Sequence, residues 1–146
     1  MTVALSGSEV AKQIEEHFPD AVSESNDYCV VVKAESLFNV AAYLKNSPEL
    51  DFDYLCNLTA IDYFDYFELV YQLTSLKNNH SLVLKTRCYG RDKPSAPSVV
   101  SLWRGADYQE REVYDLMGIN FTGHPNLKRI VLWEGFDGNP LRKDYL

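Results

Sequence analysis

Only three cysteines occur in the 146 residues, Cys29, Cys56 and Cys88, and no two form a C-x-x-C pair. That spacing excludes a local zinc knuckle or iron–sulfur loop and fits reduced thiols in the cytosol rather than a disulfide framework. Basic residues are also scarce: 14 Lys and Arg stand against 21 Asp and Glu, a net charge of −7. An acidic chain without clustered Lys and Arg lacks what neutralises a phosphate backbone, so nucleic acid is not an expected partner. No apolar run approaches the roughly 20 residues of a bilayer-spanning helix, so no direct membrane span is expected. The opening run from Met1 to Gly7 has neither the basic start nor the apolar length of a secretory signal. There is no G-x-G-x-x-G, no Walker loop and no G-x-S-x-G elbow, and His17, His80 and His124 share no metal-ligand spacing.

What is present is the composition of one globular domain, 46% apolar and 24% charged. Residues 8–18 predict a helix, with Val10, Ala11, Ile14 and Phe18 at helical spacing, Pro19 as the stop and Ser6-x-x-Glu9 as a capping box. Residues 28–33 predict a strand. Residues 36–46 predict a second helix, capped by Ser36 and striped by Leu37, Val40, Ala41 and Leu44. Three strands follow, at 52–61, 67–76 and 81–89, joined by a turn at 62–65 and by Asn78-Asn79, where Asn tolerates positive φ. This order predicts an α+β fold, a two-layer sandwich of helices on a mixed β-sheet. Residues 90–98 read as a loop, and a short helix begins near Ser98 and breaks at Gly105. Asp107-x-x-Glu110 then reads as a second capping box, opening a helix that ends at Met117 with Gly118 beyond it. Asp107 and Arg111, and Arg111 and Asp115, stand four apart, as ion pairs on one helix face do. The chain divides at that point into an α+β domain, 1–118, and an extended irregular C-terminal arm, 119–146.

The arm holds glycines at 123, 135 and 138 and prolines at 125 and 140, too many breakers for a long helix or strand. Yet Ile119, Phe121, Leu127, Ile130, Val131, Leu132, Trp133, Phe136 and Leu141 make it far too apolar for a disordered tail. Such a segment buries itself either on its own domain or in a groove on a partner. From Arg104 onward six basic and seven acidic residues leave a net of −1, so the basic groups concentrate where regular structure runs out. Arginine in that setting suits bidentate pairing with carboxylates.

Glu110, Glu112, Asp115 and His124 are the residues on which a stand-alone enzyme would draw. Glu110 and Glu112 point to different sides of a helix, with Arg111 and Arg129 at hand to neutralise them. A charged, paired helix surface is the simpler reading. His124, before Pro125, reads as a hydrogen-bonding turn residue. Trp103 and Trp133 read as core or interface anchors. No nucleophile, base and orienter assemble from the sequence.

The run Glu110-Arg111-Glu112-Val113-Tyr114-Asp115-Leu116-Met117-Gly118, continued by Gly123-His124-Pro125 and by Arg129, resembles the signature of the thirty-kilodalton (C-type) subunit of respiratory complex I. The ending Pro140-Leu141-Arg142-Lys143-Asp144-Tyr145 resembles the close of the same family, and Leu58-Thr59-Ala60-Ile61-Asp62-Tyr63 resembles its upstream stretch. Trp133-Glu134-Gly135-Phe136 departs from the family's usual Pro-Glu-Asp-Trp. The resemblance implies a non-catalytic peripheral-arm subunit of a proton-pumping NADH:quinone oxidoreductase, with no cofactor and no active site of its own. It implies packing on the forty-nine-kilodalton-type (D-type) subunit near the iron–sulfur subunits, at the cytoplasmic face of the inner membrane. Equivalent subunits occur in membrane-bound hydrogenases and in ferredoxin- or F420-linked oxidoreductases. Glu110, Arg111, Glu112, Asp115, Gly118, Gly123, His124, Pro125, Arg129, Pro140, Leu141, Arg142, Lys143 and Asp144 would then be interface and turn residues. Gly118 and Gly123 would serve positive φ or close approach.

Overall fold

The computed structural model describes residues 2–90, 92–133 and 136–143. Three strands dominate, β4 (Tyr54–Asp62), β5 (Tyr66–Ser75) and β6 (His80–Tyr89), an antiparallel meander as the alternation predicts. Along β5 and β6 the pairs Phe67–Cys88, Leu69–Thr86, Tyr71–Leu84 and Leu73–Leu82 share one buried face. Glu68–Arg87, Val70–Lys85 and Gln72–Val83 share the other. β4 carries a bulge at Cys56, between the pairs Leu55–Leu73 and Asn57–Gln72. The extra residue lets Leu55 and Leu58, three apart, both face the core.

The rest of the sheet is built on the far edge of β6. β1 (Val3–Ala4) and β3 (Val30–Lys33) run parallel to β6, and β2 (Val22–Ser25) pairs antiparallel with β3, which makes the sheet mixed. Sequence reading misses β1 and β2, since a two-residue strand and the polar Val-Ser-Glu-Ser have no apolar alternation. Helix α1 (Gly7–His17) packs on β2 and β3, and α2 (Leu37–Asn46) on β3. Val10, Ala11, Ile14, Leu37, Val40, Ala41 and Leu44 are buried in one core with the apolar face of the sheet. The helix starts differ from expectation. Ser6 and Ser36 make no side-chain cap, and α2 is entered through a 3-10 turn at Ala34–Ser36.

A second, two-stranded sheet pairs β7 (Ser95–Pro97) in parallel with β8 (Asn120–Thr122). Between them lies α3 (Ala106–Met117), which packs on β4. The stretch after Ser98 is a series of turns rather than a short helix. Trp103 is buried there and donates its indole N–H to the Phe52 carbonyl at 2.9 Å. α3 ends in Gly118 at φ 75°, the left-handed stop that the sequence predicts.

Candidate interaction site

The buried stripe of α3 is Ala106, Glu110, Val113 and Met117, so a carboxylate sits where helical spacing asks for an apolar residue. Asp107 and Glu110 do not form the expected capping box, because the helix begins earlier, after Gly105. Glu110 is fully buried instead. It accepts from Ser98 Oγ at 2.6 Å and from the Val99 N–H at 2.9 Å. Burial pushes its carboxyl up, Ser98, Val99 and His124 oppose that, and Asp107 adds to it; the net is a raised pKa. Nearby, the Tyr71 hydroxyl is buried without a hydrogen-bond partner among the described residues.

His124 ties the turn after β8 to the start of α3. The Asn126 N–H donates to Nδ1 at 2.9 Å, so the neutral ring carries its proton on Nε2. Nε2 lies 3.2 Å from the Asp107 carbonyl, to which it donates. The Asp107 carboxylate is also 3.2 Å away, in ion-pair range. His124 is thus the turn residue expected of it, beside Gly123 at φ 86° and an exposed Pro125. The Ser98 proton is committed to Glu110 and His124 to Asp107, so Ser98 is not poised against the imidazole.

Asp115 organises the arm. It is fully buried, not part of a charged helix surface. Its Oδ2 accepts from three successive backbone N–H groups, Ile130 at 3.2 Å, Val131 at 2.8 Å and Leu132 at 2.8 Å. Its Oδ1 accepts from Arg129 at 2.8 Å. Burial raises the Asp115 pKa, but the N–H groups of Leu132, Val131 and Ile130 and the Arg129 guanidinium outweigh it and hold the carboxyl below its ordinary value. Arg129 also donates to the Gly138 carbonyl at 3.0 Å. Arg111 does not make the expected pairs with Asp107 and Asp115. It donates to the carbonyls of Lys128 and Arg129, at 3.2 and 3.3 Å.

The end of the arm is fastened to the C-terminus of α3. Asn139 Nδ2 donates to the carbonyls of Asp115 and Tyr114, at 2.9 and 3.4 Å, and the Leu141 N–H donates to the Leu116 carbonyl at 2.9 Å. The Asp115 and Leu116 carbonyls are ones that a helix end leaves without intrahelical donors, so the arm acts as a tertiary cap, while the Tyr114 carbonyl also accepts from the Gly118 N–H. Gly118 makes the approach feasible: a Cβ there would lie 2.8 Å from Asn139 Oδ1 and 3.2 Å from an Arg142 nitrogen. Arg142 lies over the ring of Phe67 at 5.1 Å. The Lys143 N–H donates to Asp62 Oδ2 at 2.8 Å, across to the β4–β5 turn.

With its backbone fastened inward, the arm turns apolar side chains outward. Ile130, Val131, Leu141 and Trp133 are 37, 59, 61 and 69% exposed. Glu112 is exposed on α3, Pro140 is half-buried, and Asp144 lies outside the described residues. Ser98, Asn139 and Asp62 are the residues that sequence reading missed. Only Asp62 had a local signal, since an Asp two residues before a turn N–H is a familiar Asx-turn.

Fold and arm together define a class: a two-layer α+β domain whose tail is latched to its own last helix and presents an apolar outer edge. Among the described residues no helix is long and apolar enough to cross a membrane. The family model of the respiratory-chain NADH dehydrogenase 30 kDa subunit matches residues 30–146. The C subunit of the NADH-quinone oxidoreductase of Roseiflexus castenholzii is 42% identical over 97% of this chain and 85% of its own. The C 2 subunit of the Rhizobium meliloti enzyme is 41% identical over 81% of this chain and 65% of its own. A chain in the structure of the membrane-bound sulfane sulfur reductase, an archaeal respiratory membrane complex, superposes with a TM-score of 0.72 at 30% identity, over 95% of this chain and 85% of that one. The chain belongs to the 30 kDa subunit family of complex I, the C-subunit family of NADH-quinone oxidoreductases.

Proposed function

We propose that the chain is a scaffold subunit of the peripheral arm of a proton-pumping NADH:quinone oxidoreductase, without an active site of its own. Within residues 119–146, Ile119 and β8 belong to the core, and the stretch beyond them is the interface arm, which packs on the forty-nine-kilodalton-type (D-type) subunit, beside the iron–sulfur subunits, on the cytoplasmic face of the membrane. The signature residues from Glu110 to Lys143 act in this reading by shaping the arm. The observation that carries it is the division of labour at Asp115: backbone N–H groups point in, while Val131 and Trp133 point out. Exposed tryptophans on a rigid frame are what protein interfaces use as anchors.

A native pull-down through an N-terminal tag tests it. The wild-type chain should bring along flavin- and iron–sulfur-bearing subunits, and Trp133→Ala should weaken that association by about 2 kcal/mol or more. Recovery of the wild-type chain alone, soluble and monodisperse, refutes the reading. The likeness to the sulfane sulfur reductase chain supports a second reading, the equivalent subunit of a related membrane-bound reductase. The electron-input subunit recovered decides between the two, and relatives at 41–42% identity favour the NADH-quinone machine.

A further inference from the structure

At the turn between β4 and β5, Phe64 has φ 69°, the left-handed region that a bulky aromatic residue avoids. Asp62 holds it there. Its Oδ1 accepts from the Phe64 N–H at 2.8 Å, while its Oδ2 accepts from the Lys143 N–H at 2.8 Å. One nearly buried carboxylate thus fixes both the tip of a hairpin and the end of the arm, 81 residues apart. The strained backbone does not bury the ring, which is 58% exposed. Tyr63 precedes it, its ring tilted against that of Tyr66 at 5.4 Å, and Tyr66 in turn contacts Tyr89 at 5.6 Å. The Lys143 ammonium lies 5.2 Å from the Phe64 ring, and no carboxylate among the described residues is in ion-pair range of it.

We infer that the hairpin tip and the arm's end form one docking surface for a neighbouring subunit of the complex. The occupant presents a carboxylate to Lys143 and an apolar side chain to Phe64 and Tyr63. Three observations carry this. Strained backbone clusters at functional sites, and here it sits beneath an exposed aromatic ring. The surface is continuous with the arm through Lys143. That lysine, without an acidic partner among the described residues, stands on a chain of net charge −7. It complements an acidic segment of a different protein, whereas a second copy brings repulsion overall. The inference rests on the scaffold reading above.

Phe64→Gly tests it, because glycine adopts this left-handed φ without strain and keeps the N–H that Asp62 holds. Phe64→Asn, which also tolerates that region, is the second variant. In the full chain both should keep the cooperative melt and the circular-dichroism spectrum of the wild-type fold. Yet their association with the remaining subunits should fall about tenfold or more, as for an interface anchor. Lys143→Glu should fall likewise, and Lys143→Arg should not. Wild-type association by both Phe64 variants overturns the inference while leaving the scaffold reading standing. Failure of the wild-type chain to bring along any subunit overturns both. A wild-type dimer that Phe64→Gly dissolves assigns the surface to a second copy and overturns the neighbouring-subunit occupant.

Discussion

Asp115→Asn should release the arm while leaving the domain folded. The carboxylate accepts four hydrogen bonds, three from the backbone of Ile130, Val131 and Leu132 and one from Arg129. Hydrogen bonds to a charged group contribute about 1.5–3 kcal/mol each. Asparagine keeps one acceptor oxygen but turns an NH2 group toward donors, so about half the set is lost. Breaking a buried ion pair costs about 3–5 kcal/mol when the orphaned charge stays buried. Arg129 retains 19% of its side-chain exposure and can rehydrate in part, which reduces that figure. Together these give about 3 kcal/mol against arm docking, a factor of roughly 100 in the opening equilibrium. A domain of this size holds about 5–15 kcal/mol in total, so the sheet should persist. Amide hydrogen exchange reads the difference directly. Protection at residues 130–132 should fall about 100-fold while the amides of β5 and β6 keep theirs. Unchanged protection at 130–132 would refute the latch. Acceleration of all amides together would show that arm and domain open as one unit, which refutes it too.

Gly118→Ala places a side chain at φ 75° and drives its Cβ against Asn139. Left-handed strain of about 1–2 kcal/mol and a lost cap of about 1 kcal/mol should lower stability by about 2–3 kcal/mol. A thermal melt superimposable on wild type would refute the close approach. The two buried carboxylates should respond to pH in opposite senses. Asp115 has a lowered folded pKa, so its contribution is present above the ordinary Asp value near 4 and is lost as pH falls through the lower folded value. Glu110 has a raised folded pKa, so its contribution is present below the ordinary Glu value and is lost as pH rises through the folded one. In denaturant titrations, the stability of wild type relative to Glu110→Gln should therefore decline on raising pH above about 4.5. A constant difference from pH 4 to 8 would refute the raised value.

The meander and the three helices were legible because their signals are local: alternation in β5 and β6, apolar stripes in α1 and α2, and a glycine stop after α3. β4 was legible as a strand, but its bulge was not, since Leu55 and Leu58 acquire a shared face only against Leu73 and Tyr71. β1, β7 and β8 are two or three residues long and are fixed by partners far along the chain, Val3 by His80 and Ser95 by Asn120. At the site, the turn role of His124 was readable from Gly-His-Pro. The roles of Glu110 and Asp115 were not, because a carboxylate at helical spacing beside arginines looks the same exposed or buried. What satisfies Glu110 is Ser98 and the Val99 N–H, and what satisfies Asp115 is a row of backbone N–H groups; side-chain identities do not announce either donor set.

The arm fastens to its own domain through its backbone, and in the scaffold reading proposed above its exposed side chains are what a partner meets. A loose segment that orders only on binding loses about 1–2 kcal/mol of backbone freedom per residue at that moment. For the four residues Ile130 to Trp133 that amounts to about 4–8 kcal/mol, comparable to the worth of several interface anchors. Asp115 removes much of this cost in advance by holding three of those residues through their N–H groups. It does so without using their side chains, which stay available. In that reading an apolar latch would not serve, since burying Val131 or Trp133 to fix the arm would consume the surface proposed for the partner. A buried carboxylate reading the backbone alone is the solution compatible with both demands, and the depressed Asp115 pKa keeps that latch charged at neutral pH.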